Sequence, residues 1–77
     1  MEQFLRLVIS ELIGRPTEEI VVQPTREGTK TIFHIALPKS EVGKIIGRGG
    51  HTIQALRSLV SAAAAKHGER ASVEILE

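Results

Sequence analysis

Three glycines fall within four residues at Gly47-Arg48-Gly49-Gly50, followed at once by His51 and Thr52 and preceded by Lys44-Ile45-Ile46. Glycine opens backbone conformations closed to other residues, and it removes side chains that would hold a ligand away from the main chain. Arg48 places a cation in the turn, Lys44 adds one a helical turn earlier, and His51 and Thr52 offer hydrogen-bonding groups. If a helix opens at His51, its first N–H groups lack intrahelical partners and its dipole is positive at that end. The chemistry this suits is recognition of a phosphodiester by main-chain N–H groups. Covalent chemistry is poorly served. The chain has neither Cys nor Asp, and its Ser, His and Glu residues show no triad or carboxylate-pair spacing. The turn also lacks the Gly-x-x-x-x-Gly-Lys-Ser/Thr pattern of nucleotide-hydrolysing phosphate loops. No enzymatic activity is expected. His34, His51 and His67 lie too far apart to suggest a ligand pair, so no metal and no cofactor is expected either.

Charge is distributed in keeping with that reading. The net charge is only +1, yet residues 39–57 hold Lys39, Lys44, Arg48 and Arg57 against the single acid Glu41. The remaining chain carries six cations against eight acids, so positive charge gathers around the glycine turn, where a polyanion needs it.

The elements that must position this turn follow from periodicity. Phe4, Leu5, Val8, Ile9 and Leu12 recur at helical spacing, with Leu7 and Ile13 off the stripe, and Gly14 and Pro16 mark the stop. Glu19 to Gln23 is short and β-branched, which predicts a strand. Pro24 to Thr29 then reads as a turn, and Lys30 to Leu37 as a second strand, central because both its faces are largely apolar. The two strands should pair as an antiparallel hairpin. Ser40 followed by Glu41 predicts the N-cap and first turn of a short helix. A longer helix is expected from His51 to His67, with Ile53, Leu56, Val60 and Ala63 inward and Gly68 as its stop. Ala71 to Leu76 should form a last strand parallel to the central one. The expectation is an α+β fold in the order α-β-β-α-α-β, a three-stranded mixed sheet packed by three helices. The 77 residues are read as one domain, with an N-terminal helix and strand at 1–24 and a strand–helix–turn–helix–strand core at 30–77.

The stretch Ile45-Ile46-Gly47-Arg48-Gly49-Gly50-His51-Thr52-Ile53 resembles the Ile-Ile-Gly-x-x-Gly-x-x-Ile signature of KH domains. With its helix and strand at the N-terminus, the whole chain is similar to the prokaryotic, type II arrangement found in small bacterial RNA-binding proteins. The resemblance implies a Gly-x-x-Gly (GxxG) loop with Gly47 and Gly50 as its fixed glycines and Arg48-Gly49 as the variable pair facing RNA. It implies that Ile45, Ile46 and Ile53 join the helices and floor a groove for about four unpaired nucleotides. Lys44, His51 and Thr52 complete the expected RNA-binding set, and the last strand is the expected opposite wall. Gly49 departs from the pattern, since this pair often carries two cations. With Phe4 and Phe33 the only aromatics, the chain cannot build the stacking platforms of RRM or OB-fold proteins.

The resemblance implies single-stranded RNA as partner, with a role as a bacterial RNA chaperone or post-transcriptional regulator. It further implies a homodimer, a larger KH-containing RNA-binding protein as partner, or both. A protein–protein interaction domain on the same scaffold is the alternative. The N-terminus, Met1-Glu2-Gln3-Phe4-Leu5-Arg6, does not read as a signal peptide, so a cytoplasmic location without membrane attachment is expected.

Overall fold

The structure, a computed structural model, describes residues 1–47 and 50–76. Helix α1 (Glu2–Ile13) ends at Gly14 in the left-handed conformation. A single 3-10 turn (Thr17–Glu19) leads into strand β1 (Val21–Glu27), and a two-residue turn leads into β2 (Lys30–Ala36). Helices α2 (Lys39–Ile46) and α3 (His51–Ala65) follow, then β3 (Arg70–Leu76). The sheet order is β1-β2-β3. β2 pairs antiparallel with β1, from Val21 opposite Ala36 to Glu27 opposite Lys30. It pairs parallel with β3, from Lys30 beside Arg70 to Ala36 beside Leu76. A parallel pair requires a long crossover, and α2 and α3 supply it. The expected α+β order and mixed three-stranded sheet are what the chain forms.

Helices cover one face of the sheet. Val22, Phe33, Ile35, Leu37 and Val73 point into the core, where they meet Leu5, Ile9 and Ile13 of α1, Val42 and Ile45 of α2, and Ile53, Leu56 and Val60 of α3. Burying each large aliphatic side chain stabilises the fold by about 1.5–3 kcal/mol. The opposite sheet face is open, with Val21, Ala36 and Leu76 exposed in one row across the three strands. β2 is therefore central but covered on one side only, so its apolar outer positions do not signal a second helical layer.

Several local expectations are corrected. The buried stripe of α1 is Leu5, Ile9 and Ile13, while Phe4 and Leu12 are exposed, because the last turn of α1 tucks against α2. β1 begins later than expected and continues through Pro24, which sits opposite Phe33; an edge strand tolerates proline where an inner one would not. The turn is thereby reduced to Gly28-Thr29. Pro38, not Ser40, occupies the N-cap position of α2, and its carbonyl accepts the Glu41 N–H at 2.8 Å. α3 ends at Ala65, before His67, and buries Ala64 more fully than Ala63. β3 gains Arg70, whose N–H donates to Thr29 O at 3.0 Å.

Candidate nucleic-acid interface

The glycine turn joins α2 to α3 at one end of the sheet. α2 closes when the Gly47 N–H donates to Gly43 O at 3.0 Å, and Gly47 then adopts φ 68° and ψ −171°. That combination is essentially restricted to glycine. A Cβ at Gly47 would stand 2.3 Å from Thr52 Oγ1 and 3.0 Å from Thr52 Cβ. Gly50 is left-handed, φ 77° and ψ 11°, and among the described residues nothing lies within 4 Å of where its Cβ would be. Gly50 is also the N-cap of α3, and no side chain among the described residues caps this helix start. Its first N–H groups are therefore left for solvent or a ligand. Arg48 and Gly49, the expected variable pair, lie outside the described residues.

The structure sorts the other expected site residues into distinct roles. Ile46 is 39% exposed at the lip of the turn, whereas Ile45 and Ile53 are buried in the core and hold the helices that carry it. His51 and Thr52 open α3 and, with Val8, Leu12, Ala55 and Leu59, line a shallow apolar depression between α1 and α3. Lys44 is directed elsewhere. Its Nζ lies 3.1 Å from Glu41 Oε2 and donates to Ile13 O at 3.5 Å, at the C-terminal end of α1.

The seam between α3 and β3 adds residues that sequence reasoning did not place in the site. Leu76 O accepts the Leu37 N–H and the Arg70 N–H reaches Thr29 O, so the backbone N–H and C=O groups of even-numbered β3 residues point to β2. Those of odd-numbered residues point outward along the sheet edge, while the Val73 side chain lies in the core. Two of those outward carbonyls are met from α3: Arg57 Nε donates to Val73 O at 3.2 Å and Ser61 Oγ to Ala71 O at 3.3 Å. Gly50, Gln54, Arg57 and Ser61 fall at helical spacing, so one polar stripe of α3 runs from the turn along the β3 edge. The last strand was already the expected wall; the helix residues that meet its edge were signalled in the sequence only by that polar stripe beside the apolar one.

One charged group is nearly enclosed. The Glu41 side chain is 8% exposed, and its Oε1 accepts from Arg15 at 3.2 Å while Oε2 faces Lys44. The contact with Lys44 holds this carboxyl below its ordinary value, against the opposing effect of burial, and Arg15 lowers it further. Because the folded value is the depressed one, the stabilisation is complete above the ordinary carboxylate value of 4.5. It disappears as pH falls through the lower folded value. Glu41→Gln is thus expected to be less stable than the parent in urea unfolding at neutral pH, with the difference closing below about pH 4.5. A difference that persists undiminished in strong acid would remove Glu41 as its cause.

Among the described residues no helix is long and apolar enough to cross a membrane, and no group of three His, Asp or Glu side chains is placed to hold a metal. A family model described as "KhpA/KhpB, KH domain" matches residues 2–75. The RNA-binding protein KhpA of Chlamydia pneumoniae is 40% identical over 78 residues, covering 100% of this chain and 97% of that protein. KhpA of Chlamydia caviae is 38% identical over the same shares. KhpA of Listeria monocytogenes is 29% identical over 77 residues and 100% of both chains. No solved structure gives a significant match.

Proposed function

The chain belongs to the KhpA/KhpB KH-domain family, and from that premise we propose that it binds single-stranded RNA across the turn between α2 and α3. The observation that carries the reading is the pair Gly47 and Gly50, both at positive φ, at the uncapped start of α3. A phosphodiester approaches main-chain N–H groups there without meeting a side chain, and Arg48 supplies the countercharge. Ile46 and Gly47 to Thr52 form the contact surface, with Ile45 and Ile53 as its support. Unstacked bases enter the groove between the turn and the β3 edge, where Arg57 and Ser61 form part of the wall.

About four nucleotides make a weak site, because ordering a flexible strand offsets much of the contact energy. Useful affinity then comes from two linked sites, through a homodimer or a larger KH-containing RNA-binding protein. Leu59, 56% exposed, and Leu12 flank the apolar depression between α1 and α3 and suit self-association, which sedimentation at rising protein concentration would register. In this reading the protein works in the bacterial cytoplasm as an RNA chaperone or post-transcriptional regulator.

The test is titration with a short unpaired RNA across salt concentrations. Three or four phosphate contacts give a log–log slope of about −2 to −3, at about 0.7 per contact for single strands. Absent or salt-independent binding would return the chain to the alternative, an interaction domain on a KH scaffold.

A further inference from the structure

We propose that Glu41 is a positioning residue that withholds Lys44 from the RNA, a refinement resting on the RNA-binding reading above. Lys44 is the cation nearest the glycine turn in α2, and by spacing alone it belongs to the phosphate patch. Its side chain is 55% exposed, yet its ammonium lies against α2's Glu41 and the C-terminal end of α1. Glu41 Oε2 lies 3.1 Å away and Ile13 O accepts from it at 3.5 Å. Ile13 is the last residue of α1, so the cation also meets the negative end of that helix.

Two features keep it there. Glu41 Oε2 is buried, and no aligned hydrogen bond reaches it among the described residues, so the close ion pair with Lys44 is its compensation. Departure of Lys44 would strand a buried anionic oxygen, a costly arrangement. The other carboxylate oxygen is held independently. Arg15, whose N–H donates to Ser10 O at 3.2 Å and whose carbonyl accepts from Ser10 Oγ, bridges Glu41 Oε1 and Glu19. Arg15 therefore fixes the carboxylate from the α1 side whether or not Lys44 is present. The consequence is electrostatic: an RNA strand on the turn meets Arg48, while Lys44 is already neutralised.

Salt titrations of RNA binding separate this from a merely structural ion pair, because the slope counts phosphates neutralised and is insensitive to a uniform loss of folded protein. Lys44→Met is expected to keep the parental slope, and Glu41→Gln to steepen it by about 0.7 as Lys44 becomes free to reach a phosphate. A shallower slope for Lys44→Met, or a Glu41→Gln line parallel to the parent, overturns the proposal. Should Glu41→Gln fail to fold, the Lys44→Met slope decides alone. A parent that shows no salt-dependent binding removes the RNA reading itself and this refinement with it, which the first titration reveals before any variant is made.

Discussion

Replacing Arg48 and Gly49 together by Asp is expected to abolish binding to short unpaired RNA while leaving helix content and thermal stability close to parental. Both positions fall between the last residue of α2 and the first of α3, so neither substitution interrupts a helical hydrogen-bond ladder. The loss has two sources. Removing a charge-assisted hydrogen bond to phosphate costs about 1.5–3 kcal/mol, roughly 10- to 150-fold in affinity. Two carboxylates then stand where a polyanion must approach, so an interaction already weakened by the disorder of its ligand falls below detection. Raising salt does not restore it, since screening the new repulsion also screens the remaining attraction. Circular dichroism and a melting curve establish that the variant is folded, and fluorescence anisotropy with labelled RNA reads the binding. A folded double variant that binds as the parent does would place the RNA elsewhere on the molecule.

How much of this site the sequence disclosed depends on how local each signal is. The turn and its two helices are legible because their determinants are adjacent: three glycines, flanking isoleucines and the alanine-rich run of α3 constrain only their own neighbourhood. Pro24 misled because local chemistry reads proline as a turn. Its place in β1 is acceptable only because β1 is an edge, which is a property of the sheet. Ile13 misled for the same reason, since its burial comes from α2 packing on the last turn of α1. Lys44 is the most informative case. Its spacing from the turn and from Glu41, three residues earlier on the same helix, is a sequence fact, but the meeting of α1 and α2 adds Ile13 O within 3.5 Å of it and Arg15 on the other oxygen of Glu41. The last strand was expected beside the central one, but the α3 side chains that meet its edge were not legible, because Arg57 reaches Val73 O only across the folded seam. Composition and spacing therefore disclose which residues form the turn, and tertiary contacts decide which nearby charges are free to serve it.

The two fixed glycines should respond differently to substitution, and Gly47→Ala is expected to be the most damaging single change in the turn. At φ 68° and ψ −171° the backbone conformation alone costs a residue with a Cβ about 1–3 kcal/mol. The new methyl would also stand 2.3 Å from Thr52 Oγ1, so either the turn or the first turn of α3 must move. For a domain of this size, a loss of that order lowers the melting temperature by about 5–20 °C. RNA binding should fall further than stability does, because the displaced groups are the N–H donors at the start of α3. Thr52→Ala in the same chain removes the hydroxyl but leaves a Cβ contact at 3.0 Å and the backbone strain. It should recover part of the stability and little of the binding. Gly50→Asn is the contrast: Gly50 is left-handed, no described residue lies within 4 Å of its Cβ position, and asparagine tolerates that conformation better than most other residues. Its melting temperature should stay within a few degrees of the parent. If Gly47→Ala melts and binds like Gly50→Asn, the close approach of Gly47 to Thr52 is not what shapes the turn.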